Sequence, residues 1–90
     1  MSLTLNNMRY AVAVADSLSF TRAAEVCKMT KAAIFTGVTS LEGFLGYPVF
    51  ERHSSGRGYE IRVTEQGAAF LKHATACLAH ADEIKRTRVR

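Results

Sequence analysis

The sequence predicts a mainly α chain, with a three-helix core, a two-stranded β hairpin and a long C-terminal helix. Three observations carry that expectation. Between Ser19 and Glu42 lie two short stretches of helical apolar period, each opened by a hydroxyl residue able to cap it, Ser19 and Thr30. From Val49 to Val63, residues suited to strands flank a Gly/Ser-rich centre. From Glu65 to about Lys85 nothing breaks a helix apart from a slight weakening of its first turn at Gly67.

Met8 to Ala15 is the candidate first helix, the element on which the two short ones must pack, since neither is long enough to be stable alone. In the second helix Phe20, Ala23, Ala24 and Cys27 fall at i, i+3, i+4 and i+7 and form one narrow apolar face. In the third, Ala33, Ile34, Val38 and Leu41 do the same. The small Ala23 and Ala24 allow the close crossing of a helix-turn-helix, whose second helix enters a DNA major groove. Gly46 suits a left-handed helix end, and Pro48 forbids the helix from resuming.

Val49 to Arg52 reads as one strand and Tyr59 to Val63 as the other, with His53-Ser54-Ser55-Gly56-Arg57-Gly58 as the loop between them. Tyr59, Ile61 and Val63 share one side, and Glu60 and Arg62 the other. The hairpin is a wing, with Arg57 at its tip. Thr64 caps the last helix, where Phe70, Ala74, Cys77, Ala81 and Ile84 are spaced as a heptad seam that Leu71 and Leu78 widen. A helix of about twenty residues is roughly 30 Å long. The body before it is too small to cover that length, so the seam predicts a second copy of the same helix; in the alternative reading Phe70, Leu71 and Ala74 pack on the body and the distal half frays. The expected organisation is residues 1–64 as a winged helix-turn-helix domain and residues 65–90 as a dimerisation helix with a basic tail.

Composition narrows the function classes. Ninety residues, 48% of them hydrophobic, allow one domain with a modest core. A formal net charge of +4 favours a polyanionic partner. No stretch approaches the length of a membrane span, and no charged start with an apolar run marks a signal peptide, so a cytoplasmic location is expected. Cys27 and Cys77 lie in no metal-ligand spacing and read as reduced thiols filling apolar positions. His73 and His80 share a helix face as a solvated pair. No P-loop, nucleophile elbow, zinc-protease or dinucleotide motif is present, so neither an enzyme nor a cofactor or metal is expected.

Five segments resemble the N-terminal DNA-binding domain of LysR-type transcriptional regulators. They are Met8 to Ala15, Ser17 to Glu25, Ser40-Leu41-Glu42, Val49-Phe50-Glu51-Arg52 and Val63 to Gly67, and their order and spacing make the match specific from about Leu5 to Ile84. The resemblance implies a winged helix-turn-helix, a linker helix that dimerises with its counterpart, and two half-sites on double-stranded DNA. The effector-binding domain usual in the family has no counterpart in these ninety residues. The chain therefore reads as the DNA-binding portion of a longer regulator or as a regulator without an inducer site.

The third helix departs from the family pattern of Ser-Gln-Pro/Ser-Ala-Leu/Val-Ser followed by polar and basic residues. Thr30 keeps the cap, while Lys31 stands at the usual glutamine, Ala32 at the proline, Phe35 at a serine and Thr36 at a position that is often basic. Gly37 sits mid-helix, and Thr39 and Ser40 replace long polar residues. In one reading Lys31 donates to guanine, Thr36, Thr39 and Ser40 contact bases or phosphates, and Ala32 and Gly37 give room for close approach. In a second, Phe35 belongs to a protein contact and the domain has become a dimerisation module with weak DNA binding. In a third, Phe35 folds back on the second helix. Arg52 holds a phosphate or pairs with Glu42, Glu51 or Glu60, Thr21 and Arg22 add phosphate contacts, and Arg57 enters a minor groove or stays solvated. The reading these residues favour is a dimeric, sequence-specific DNA-binding regulator.

Overall fold

A computed structural model describes residues 1–56 and 58–89 of the chain. In chain order the elements are α1 (Leu5–Ser17), α2 (Phe20–Cys27), α3 (Lys31–Leu45), β1 (Phe50–Ser55), β2 (Gly58–Val63) and α4 (Glu65–Arg86). This is the winged helix-turn-helix with a long C-terminal helix that the sequence predicts. Each helix opens on a side-chain cap. Ser19 Oγ accepts the Arg22 N–H at 3.1 Å, Thr30 Oγ1 the Ala33 N–H at 3.0 Å and Thr64 Oγ1 the Gly67 N–H at 2.9 Å. Thr4, outside the expected first helix, caps α1 through the Asn7 N–H at 3.0 Å. Each cap stabilises its helix by about 1 kcal/mol.

The first three helices end in left-handed residues. Gly46, at φ 82°, does so without steric cost. Leu18 at φ 54° and Lys28 at φ 56° do so with side chains, at about 1–2 kcal/mol each. The core lies between α1, α2, α3 and the start of the wing, where Ala11, Val14, Ala23, Ile34, Leu41 and Val49 are fully buried. No polar or charged residue is buried among the described residues.

Gly37 is corrected from its sequence reading. It is buried on the inner face of α3, and a Cβ there would lie 2.6 Å from Tyr10 Cδ2 and 2.8 Å from Asn7 Oδ1. The missing side chain lets α1 and α3 touch; it makes no room for DNA.

The hairpin is longer in strand and shorter in loop than its composition suggests. β1 and β2 pair antiparallel from Phe50↔Val63 through Arg52↔Ile61 to Ser55↔Gly58, leaving two residues between the strands. Backbone pairing carries His53, Ser54 and Ser55 into β1 although serine is a common turn residue. Because alternate residues share a face, Phe50, Arg52, Tyr59, Ile61 and Val63 all belong to the side that turns toward the helices. On the outer side Arg62 pairs with Glu60 at 3.0 Å, a surface contact of little energetic weight.

α4 divides the expected seam. Ala74 and Leu78 are buried against Met8 of α1, with Val12 and Phe70 beside them, and Phe70 and Leu71 also pack on the main core. Ala74 and Leu78 are thereby buried on the chain's own body rather than free for a dimer face, whereas Phe70 and Leu71 are only half-buried there. Cys77 and Ile84 remain exposed, Ile84 at 69%, and Ala81 is half-buried. Cys77 therefore does not fill an apolar position, whereas Cys27 packs against the core, and its burial pushes the thiol up against a smaller opposing pull from Arg9.

Candidate nucleic-acid interface

The exposed side of α3 is built from Lys31, Ala32, Phe35, Thr36 and Thr39, all solvent-facing, while Ile34, Val38 and Leu41 anchor the opposite side in the core. Ser40 does not stand with them. Its hydroxyl meets Ser2 Oγ at 3.2 Å and its carbonyl accepts the Ser2 N–H at 3.1 Å, which ties it to the N-terminal segment. Its expected DNA contact is corrected accordingly. Thr21 and Arg22 are exposed in the first turn of α2, with Arg22 3.9 Å from Glu25. Thr30 spends its hydroxyl oxygen on the cap of α3. The reading of Arg57 lies outside the described residues.

Arg52 is the centre of this surface. Its guanidinium lies 4.8 Å from the Phe35 ring centroid, 5.5 Å from that of Tyr59 and 5.8 Å from that of Phe20. Three elements other than its own strand supply those rings. Phe20 is itself braced, 5.8 Å from Phe35 and edge-on to Phe50 at 6.3 Å. Each cation–π contact at an exposed site contributes about 0.5–1 kcal/mol.

The three carboxylates that could have neutralised Arg52 are engaged elsewhere. Glu51 meets His53 at 3.2 Å and Glu60 meets Arg62 at 3.0 Å. Glu42 accepts the backbone N–H groups of Val49 at 2.7 Å and Phe50 at 3.2 Å. Among the described residues, no ion pair holds Arg52. The guanidinium keeps its charge while rings occupy its faces, and its edge donors remain suited to a phosphate.

Two concavities meet at the Arg52–Phe35 ridge. One, of about 310 Å³, brings Thr21 and Lys31 together with Phe35, Arg52 and Tyr59. The other, of about 260 Å³, adds Thr39 and Glu42. Five of the expected contact residues, Thr21, Lys31, Phe35, Thr39 and Arg52, therefore border one continuous surface between the helix-turn-helix and the wing. Ala32, Thr36 and Arg22 are exposed outside both concavities. From the sequence, Phe20 reads as core and Tyr59 as a strand residue without a role. The register pairing Arg52 with Ile61 would have found Tyr59, its diagonal neighbour on the same face.

Comparison with known proteins places this geometry in context. Residues 5–68 match the family described as bacterial regulatory helix-turn-helix protein, lysR family. The chain is 34% identical over 83 residues to the Hca operon transcriptional activator HcaR of Escherichia coli strain K12, covering 92% of the chain and 27% of that protein. It is 42% identical over 67 residues to the glycine cleavage system transcriptional activator of the same strain, covering 74% and 21%. The chain thus spans about a quarter of the length of these relatives. The structure of the BenM DNA-binding domain in complex with benA site 1 DNA superposes with a TM-score of 0.81 at 28% identity, covering 93% of this chain and 90% of that one.

Proposed function

The chain belongs to the LysR family of bacterial regulatory helix-turn-helix proteins, and from that membership we propose that it binds double-stranded DNA as a dimeric transcriptional regulator rather than acting as an enzyme. One observation carries the reading: the Arg52 guanidinium, without a carboxylate partner among the described residues, stands beside the exposed face of α3 on a surface shared with Thr21, Lys31 and Thr39. α3 lies in the major groove, where Lys31, Thr36 and Thr39 read bases, and the wing follows the flanking backbone. Arg52 and Thr21 hold phosphates, which position the domain without reading sequence. Residues 1–64 form the DNA-reading unit. Ala81, Cys77 and Ile84 on the outer side of α4, within residues 65–90, pair with a second copy. The site of action is the cytoplasmic nucleoid. Among the described residues no helix is long and apolar enough to cross a membrane.

The test is selection from a random duplex pool at two salt concentrations. Enrichment of a two-fold symmetric motif, with affinity falling steeply as salt rises, supports the proposal. Weak, motif-free binding favours the winged fold as an interaction module. Lys31→Ala should weaken the selected duplex roughly tenfold and random duplex far less, whereas Arg52→Ala should weaken both alike. Equal losses for Lys31→Ala would remove its base-reading role. Ile84→Asp, which buries a charge in the proposed α4 pair, should shift the chain to monomer in sedimentation, with its helix content unchanged. An unchanged oligomeric state would exclude that face.

A further inference from the structure

We propose that Phe35 is a positioning residue for Arg52, acting on DNA through the guanidinium rather than by touching a base, an inference that rests on the DNA-binding reading above. Phe35 supplies the nearest of the three rings, at 4.8 Å, and is the only one of the three carried on α3. It remains 44% exposed even though it touches both Phe20 and Arg52. An exposed phenylalanine in mid-surface is explained by what it holds. Together with Phe20 from α2 and Tyr59 from β2, it makes a seat that spans helix-turn-helix and wing.

The seat has two physical consequences. A free arginine gives up rotamer freedom when it binds a phosphate, but one already stacked has lost most of it beforehand. Ring faces also attract a guanidinium without neutralising it, unlike a carboxylate, so the charge is positioned and still available. α3 carries a single cation of its own, Lys31. Phe35 thus brings a second cation from the wing to the flank of α3.

Phe35→Leu, Phe35→Tyr, Arg52→Ala and the Phe35→Leu/Arg52→Ala double variant decide the matter. Each is titrated against a duplex selected by the unaltered chain and against a mixed-sequence duplex, over a range of salt. Phe35→Leu should weaken both duplexes by the same factor, roughly three- to tenfold, and make the log–log salt slope shallower by about 0.9, one phosphate contact. Phe35→Tyr keeps the ring and should stay within about twofold of the unaltered chain. In the Arg52→Ala background Phe35→Leu should add almost nothing, because its effect runs through Arg52.

A readout without DNA accompanies these titrations. The Arg52 δ-methylene and Nε–H proton resonances should be ring-shifted in the unaltered chain and in Phe35→Tyr, and return toward free-arginine positions in Phe35→Leu, with unchanged circular dichroism. A loss confined to the selected duplex, a full Phe35→Leu effect in the Arg52→Ala background, or unmoved Arg52 resonances would each overturn the proposal. If the unaltered chain binds neither duplex at low salt, the DNA-binding reading fails, and the resonances alone still decide whether Phe35 seats Arg52.

Discussion

Gly67→Ala is expected to lower stability by about 3 kcal/mol and the melting temperature by roughly 15 °C. Gly67 is the third residue of α4, and its N–H donates to Thr64 Oγ1 at 2.9 Å. Thr64 in turn donates its hydroxyl to the Pro48 carbonyl at 2.6 Å and its N–H to the Val49 carbonyl at 3.0 Å. The start of α4 is thereby clamped onto the chain that enters the wing. A Cβ on Gly67 would run into the Val49 carbonyl oxygen, 2.8 Å from Val49 Cα and 2.8 Å from Thr64 Oγ1. Those are backbone and cap atoms, and Val49 is fully buried with its own N–H held by Glu42, so nothing yields cheaply.

Helix propensity argues in the opposite direction, since alanine is favoured over glycine by about 1 kcal/mol. The sign of the measured change therefore decides between the two effects. Gly43→Ala is the control. A Cβ there meets only the side chain of Met1, 3.0 Å from its Cγ, and an exposed, unbranched side chain can move aside. That variant should gain up to about 1 kcal/mol. Thermal and urea unfolding followed by circular dichroism measure both. A Gly67→Ala melting temperature at or above that of the unaltered chain would show that the clamp is loose.

The contrast between these glycines shows where the sequence is legible. Local chemistry announces the helix starts, because a Ser or Thr before an apolar period serves one physical purpose; Ser19, Thr30 and Thr64 all cap as expected. It announces the stop at Gly46 for the same reason. It is silent about the packing roles of Gly37, which reads from sequence as room for DNA, and of Gly67, which reads as a slight helix defect. Their partners, Tyr10 and Val49, lie far away in the chain, and close approach leaves no local signature. Leu18 and Lys28 illustrate the converse: each closes its helix in the left-handed conformation although its side chain does not favour it.

The wing was half legible. Alternation from Tyr59 to Val63 identified its faces, but the length of β1 depended on pairing that turn-prone side chains concealed. The interface followed the same division. Lys31, Phe35 and Thr39 could be placed on the exposed side of α3 by helical period, whereas the gathering of three rings around Arg52 required the packing of α2, α3 and the hairpin.

Glu42→Ala should cost about 2–3 kcal/mol, and the reason lies in the same junction. Glu42, near the C-terminal end of α3, points its carboxylate at the chain that returns to form the wing. One oxygen accepts two consecutive amides, Val49 at 2.7 Å and Phe50 at 3.2 Å. Both residues are buried, so removing the acceptor leaves two amides with poor access to water. This explains, from geometry, a glutamate that reads from sequence as one more surface charge or as a partner for Arg52.

Glu42→Gln keeps an acceptor of similar reach but without the charge, and should recover about half of the loss. DNA binding separates the two consequences of the change. Phe50 is packed edge-on to Phe20 and lies two residues before Arg52, so a loosened β1 also loosens the guanidinium seat. Glu42→Ala should therefore weaken DNA binding even under conditions where it remains folded. The carboxylate also borders the proposed phosphate-facing surface, where its charge opposes DNA. Glu42→Gln removes that repulsion while keeping the strand in place, and should bind DNA as tightly as the unaltered chain or more so. If Gln proves as destabilising as Ala, the amide contacts are not what Glu42 provides. If both variants gain affinity equally, charge alone governs the site, and the strand has no part in placing Arg52.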